Sequence, residues 1–370
     1  MADRAALEAA ASAGVITQEQ VATLHDFLKA REAQETPPPA EGEESLRFIR
    51  NFHDVFLAIG ILLFALGLAI GIGVYATEAK SAVLSVGALS AGAAAVMWGL
   101  GELFARRRRL FLPAIAIVLS LSGFVVVSVA TLYVGALLHN DFEWRMSLEG
   151  APPQVRIGIL LALGAGVAAP GLFYARFRLP FSLGLTGAAV AVFVIGAALL
   201  FGLPAAHMAP MMLGLGALLF LAGVAFDARD PARATRFSDN GFWLHFAAAP
   251  LILNGAFGLV GGVGDFKGDG AGPAVGPALA TLVVVVLLGL VSLLINRRAL
   301  IVSALLTTGV AIGVILNAVG LGAGALAAST LIVLGAFVLI LGAGWRTARG
   351  ALLGRVKPEG FWARVFPPEQ

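Results

Sequence analysis

Apolar residues fill long, nearly unbroken stretches of this chain, and short polar segments separate them. A helix needs about 20 apolar residues to cross the ~30 Å hydrocarbon layer of a bilayer. Ten stretches approach or exceed that length: Val55–Ala76, Ala82–Leu103, Leu112–Leu138, Ile157–Ala175, Leu179–Leu203, Ala209–Phe226, Phe242–Gly262, Val275–Ile295, Leu300–Leu316 and Ala325–Ala343. The pattern predicts an all-α membrane protein, a bundle of about ten transmembrane helices spanning residues 55–343.

The flanking segments read differently. Residues 1–36 predict a cytoplasmic helical hairpin. Its first helix covers residues 3–12 and stops at Gly14. Thr17 and Gln20 have the spacing of a capping box, in which each side chain bonds the other's backbone N–H. Val21, Leu24, Phe27 and Leu28 then share one helical face. So small a unit lacks a core of its own and is expected to dock on a protein partner. Residues 37–54 form a polar linker with Pro37–Pro39 and the entry to the first span. Residues 344–370 predict a basic amphipathic tail on the membrane surface: Trp345, Ala348, Leu352 and Val356 line one face, Arg346, Arg349 and Arg355 lie on others, and Phe361, Trp362, Val365 and Phe366 follow.

Composition reinforces this reading. Only 13% of the 370 residues are charged, against about 25% in soluble domains, so lipid must be the solvent for most of the surface. The 46 glycines suit helices that associate by close packing. With no cysteine, disulfides, thiolate metal sites and cysteine nucleophiles are excluded. No signal peptide is recognisable before the first span, which is expected to remain as an uncleaved anchor.

Charge orients the bundle, because lysine and arginine concentrate on the cytoplasmic side. With the N-terminus inside, 21 of the 25 basic residues fall on inner segments, including Arg106–Arg109, Arg176 and Arg178. The outer segments hold only Lys80, Arg145, Arg156 and Lys267. Both termini are therefore expected in the cytoplasm, and the compartment is expected to be a bacterial inner membrane.

No Asp, Glu, Lys or Arg lies near the middle of any predicted span. Such groups mark proton relays and ion paths, so a proton pump or carboxylate-coupled antiporter is disfavoured. Glu102 sits at a span end, four residues before Arg106, where a local ion pair suffices. Asn254, near the middle of the seventh span, would need hydrogen-bond partners if buried; a cross-helix bond is preferred over solute contact. Gly67 with Gly71, and Gly309 with Gly313, have the spacing of close helix packing.

The richest cluster predicted lies at the cytoplasmic ends of the first and seventh spans. His53 and Asp54 precede the first span. Asp227, Asp230, Arg233, Ser238 and Asp239 precede the seventh, with Ser238 or Asp239 as its cap. Trp243 and His245 then open that helix, and His245 is the one imidazole inside a span. A structural latch built on Asp227, Asp230, Arg233 and Trp243 accounts for this pattern. The sharper alternative is a ligand site or gate in which His245 and Asp239 face His53 and Asp54, with Asn254 deeper in the membrane. The gate requires the first and seventh spans to be neighbours.

On the outer side, His139, Asp141, Glu143 and Glu149 match no metal-binding spacing. The glycine-rich loop 261–272 lacks the lysine and hydroxyl residue of a nucleotide-binding loop. No metal, cofactor or nucleic-acid site is expected, and no catalytic residue.

Ala13-Gly14-Val15-Ile16-Thr17-Gln18-Glu19-Gln20 resembles the opening of a bacterial family of multi-pass membrane proteins of unknown function, of the DUF 2157 type, which begin with a small cytoplasmic helical domain. Asp227-Ala-Arg-Asp230-Pro231 and Asp239-Asn-Gly-Phe242-Trp243-Leu244-His245 resemble a segment of uncharacterised proteobacterial membrane proteins. These resemblances imply many spans behind an N-terminal helical module, and no activity. The leading expectation is a carrier or permease-like protein for a small neutral or amphipathic solute, because ten spans exceed what anchoring needs. The alternative is a non-enzymatic scaffold or sensor that recruits partners through its hairpin and tail. In either case the lipid bilayer is the principal partner.

Overall fold

The structure, a computed structural model, describes residues 4–35, 52–78, 83–137, 152–230, 236–259, 275–295 and 323–356, with short pieces between 308 and 317. Every regular element among them is a helix. The chain divides into two compact units, residues 1–45 with 369–370, and residues 46–368.

The first unit contains α1 (Arg4–Ser12) and α2 (Gln18–Glu35). Gly14 takes φ +72° and turns the chain, while the Val15 N–H reaches back 2.9 Å to the Ala10 carbonyl, as at glycine-terminated helices. The capping box forms as its spacing predicts. Thr17 N–H donates to Gln20 Oε1 at 2.9 Å, and Gln20 N–H to Thr17 Oγ1 at 3.3 Å. Of the predicted apolar face, Val21 is buried, whereas Leu24 and Phe27 are exposed.

The second unit runs through α3 (Phe52–Glu78), α4 (Val83–Gly101), a π-helical turn (Glu102–Arg107), α5 (Phe111–Leu137), α6 (Pro153–Phe177), α7 (Pro180–Leu200), a short 3-10 turn (Ala205–His207), α8 (Met208–Asp227), α9 (Arg236–Leu259), α10 (Val275–Ile295) and α11 (Ala323–Val356). Among the described residues, seven helices are long and apolar enough to cross a membrane, and they coincide with the first seven predicted stretches. α10 and α11 contain shorter apolar helices, Leu282–Ile295 and Gly324–Ile340. The ninth predicted stretch falls mostly outside the described residues, as do the outer candidates His139–Glu149, the loop 261–272 and the tail beyond Val356. α11 runs without interruption past residue 343, so the first part of the predicted tail continues the last apolar helix.

Sequential helices pack on one another, as α4 does on α5, α5 on α6, α6 on α7 and α8 on α9. The main pairings that skip a helix, among the described residues, set α3 on α5 and α7 on α9. The largest core gathers Ala93 and Met97 of α4, Ile117 and Leu121 of α5, and Phe173 and Phe177 of α6. The Phe173 and Phe177 rings lie 4.3 Å apart, with the Trp98 ring 5.4 Å from Phe177. Small residues allow the backbones to meet: Ser128 Oγ–H donates across helices to the Gly87 carbonyl at 2.9 Å. Many other large aliphatic side chains point outward, with Leu63, Leu218 and Leu339 well exposed. An apolar exterior around a small-residue interior is what packing in lipid produces. The glycine pairs divide accordingly. Gly309 and Gly313 face Leu334 and Thr330 of α11, while Gly67 and Gly71 meet nothing.

Two corners at the basic end carry unusual backbone. Arg109, between the π turn and α5, has φ +54°, and Arg178, between α6 and α7, has φ +53°. The first corner is closed by the Leu110 N–H to the Phe104 carbonyl at 3.0 Å, the second by the Arg178 N–H to the Tyr174 carbonyl at 2.8 Å. Pro180 then begins α7 at its first position, where its missing N–H costs nothing.

Candidate functional site

The α8–α9 pair is the most intimate in the bundle, because glycines line the seam from both sides. A Cβ on Gly216 would lie 2.8 Å from the Ile252 nitrogen, and one on Gly255 2.5 Å from the Leu213 nitrogen. Near the α9 N-terminus the seam opens just enough for one polar pair. His245 is fully buried, and its Nε2 lies 3.0 Å from Oδ2 of Asp227, the last residue of α8. Gly223 and Gly241 shape the pocket. A Cβ on Gly223 would meet the imidazole at 2.8–3.0 Å, and one on Gly241 would collide with Asp227 Oδ1.

The Phe220 ring lies 4.8 Å from the imidazole, centroid to centroid. Ala249, one turn further along α9, is fully buried beside Ile295 of α10. An ionised carboxylate can only accept, so the nitrogen facing it carries the hydrogen. His245 Nδ1 is buried and without a hydrogen-bond partner among the described residues. Such a pair, shielded from water, ties the end of α8 to α9 and holds the two helices in one register. Among the described residues no group of three His, Asp or Glu side chains could hold a metal.

Around this pair α9 makes further polar contacts. Asn240 Nδ2 donates to the Tyr174 hydroxyl of α6 at 2.9 Å, and Arg178 stands 5.7 Å from the centre of the Tyr174 ring. Trp243 packs edge-on against Phe181 of α7, 4.7 Å between centroids. Its Cβ fills the space that the missing Cβ of Gly184 leaves.

The predicted site residues therefore separate. Ser238 and Asp239 lie in the first turn of α9, which begins at Arg236, so neither caps it as expected. His53 and Asp54 lie within the first turn of α3 rather than ahead of it; His53 is exposed and Asp54 buried. α3 packs on α4 and α5, whereas α9 packs on α7, α8 and α10. The first and seventh spans are not a main packed pair, and the described contacts of His245 are to Asp227 and Phe220 rather than to His53 or Asp54. Asn254 is exposed and donates to the Pro250 carbonyl of its own helix at 2.7 Å. Depth along a helix does not fix its face, which is why the cross-helix expectation failed. Asp227 proves to be a helix terminus rather than a loop residue. Asp230 is buried, and Arg233 lies outside the described residues.

Two further polar contacts were not foreseen. Glu102 pairs with Arg106 at 3.2 Å, as the i,i+4 spacing predicts, and also with Arg176 Nε of α6 at 2.8 Å. Arg349 of α11, expected off the apolar face of an interfacial tail, is buried and donates from Nε to the Leu293 carbonyl of α10 at 3.2 Å. The last carbonyls of a helix lack intrahelical partners, so an arginine there is a signal in retrospect, but sequence does not show which helix it serves. No family model, no curated protein and no solved structure matches this chain.

Proposed function

We propose that this chain is a non-enzymatic membrane scaffold or sensor that recruits a protein partner through its N-terminal hairpin. We further propose that it crosses a bacterial inner membrane about ten times with both termini inside, a topology supported by the distribution of its basic residues. The resemblance of residues 13–20 to the membrane family named above agrees with this arrangement. One observation carries the reading: the best polar constellation in the spans is sealed. His245 has no exposed surface and is held by Asp227, which suits a latch that fixes the bundle rather than a solute site. The hairpin, by contrast, is ordered by its capping box and leaves Val15 and Phe27 more than half exposed.

A carrier or permease-like role for a small neutral or amphipathic solute is the second reading. It is favoured by the prolines inside α6 and α9, Pro170 and Pro250. Proline removes a helical hydrogen bond and localises bending, and broken helices frame the sites of many carriers.

A thermal-shift screen of the detergent-purified protein against metabolites and ions separates the two. A ligand at a hundred times its dissociation constant should raise stability by about 2.7 kcal/mol. The scaffold reading expects no saturable hit, together with crosslinks to one partner from Val15 and Phe27 in membranes. A saturable solute whose binding is lost on changing His245 would overturn it in favour of the carrier.

A further inference from the structure

At the basic end of the bundle, the two arginine corners converge on one cleft of about 100 Å³, also lined by Phe111 of α5, Phe177 of α6, Leu179 and Asp239 of α9. Arg109 and Arg178 are the two non-glycine residues with positive φ among the described positions. Glycine adopts this backbone without cost, and it is the usual choice where a helix ends left-handed. A chain with 46 glycines instead places arginine at both corners, and both side chains are exposed at the same opening. The backbone strain is tolerated twice where a guanidinium is the result.

We propose that this cleft binds a phosphate group, carried as the head group of an anionic phospholipid. Guanidinium pairs phosphate through parallel N–H bonds, and two of them on adjacent corners can grip it from two sides. Asp239 contributes one negative charge against two positive ones, so the cleft keeps an excess positive charge. Its volume is well below the 300 Å³ or more typical of metabolite pockets, which fits one head-group phosphate. The remaining walls (Phe111, Phe177, Leu179 and Pro180) are apolar and suit the start of an acyl chain. Basic pockets between membrane helices commonly hold such head groups. Arg178 is braced against the Tyr174 ring, and Tyr174 is held by Asn240 of α9, so the corner is tied to the same helix that carries His245.

The test uses the full-length protein in a neutral detergent, with dioctanoyl phosphatidylglycerol, inorganic phosphate and dioctanoylglycerol as separate probes. The double variant R109G/R178G removes both guanidiniums and relieves the backbone, so its unfolding temperature should equal or exceed that of the wild type. R107Q/R108Q removes the same charge from neighbouring positions outside the cleft. The proposal expects saturable binding of the phospholipid, weakened about tenfold or more in R109G/R178G and unchanged in R107Q/R108Q. If inorganic phosphate binds equally well and is lost in the same variant, the phosphate site stands and its source is the free anion. Equal losses in the two variants, equal binding of dioctanoylglycerol, or no saturable binding of either phosphate probe would overturn it.

Discussion

Gly223 of α8 and His245 of α9 share one volume: a Cβ on the glycine would stand 2.8 Å from the imidazole Cε1. The histidine lies in the seam between two membrane helices because the glycine yields the space. Gly223→Ala must displace either the ring or the helix, and such overpacking costs about 1–3 kcal/mol. Thermal unfolding in detergent should show that loss, and Gly214→Ala on the same helix, where a Cβ meets nothing, should show none.

The pairing of His245 with Asp227 makes a second prediction. Each single change, His245→Ala or Asp227→Ala, removes this buried contact and should cost about 1–3 kcal/mol. The double change should cost clearly less than the sum, because both single changes delete the same contact. Additive losses would show that the two side chains act separately.

Asn254 should be dispensable. Its amide is exposed and, among the described residues, bonds within its own helix, so Asn254→Leu should alter stability by no more than about 0.5 kcal/mol. A large destabilisation, measured in the same unfolding assay, would mean that the amide has a cross-helix partner after all.

Arg349→Ala should loosen α11 from α10. The change removes a buried donor from the Leu293 carbonyl, and an unsatisfied buried carbonyl costs about 1–3 kcal/mol. Hydrogen exchange at the C-terminal end of α10 should quicken, while exchange in α4 and α5 stays as it was.

Much of this architecture is legible in the sequence because its cause is local. The Thr17–Gln20 capping box and the Glu102–Arg106 pair each depend on residues within one or two turns, and each forms as the spacing predicts. The long apolar helices are legible for a different reason: length and hydropathy alone decide whether a segment can lie in lipid. The site was only half visible. His245 was recognisable as an imidazole inside a span, and Asp227 lay close by in sequence, but nothing local said that they were partners rather than His245 and His53.

The sequence by itself thus determined the helical class, the seven long apolar helices and the basic corners, because backbone hydrogen bonding in lipid leaves few alternatives to a helix. Tertiary structure alone decided which face of each helix turns inward. It turned Asn254 outward, buried Arg349, set His245 against Asp227, and brought Arg109 and Arg178 to one cleft. In a membrane helix nearly every face is apolar, so hydropathy carries little record of the inner one. That choice is made by where glycines let two backbones approach, and it becomes visible only when both helices are in place.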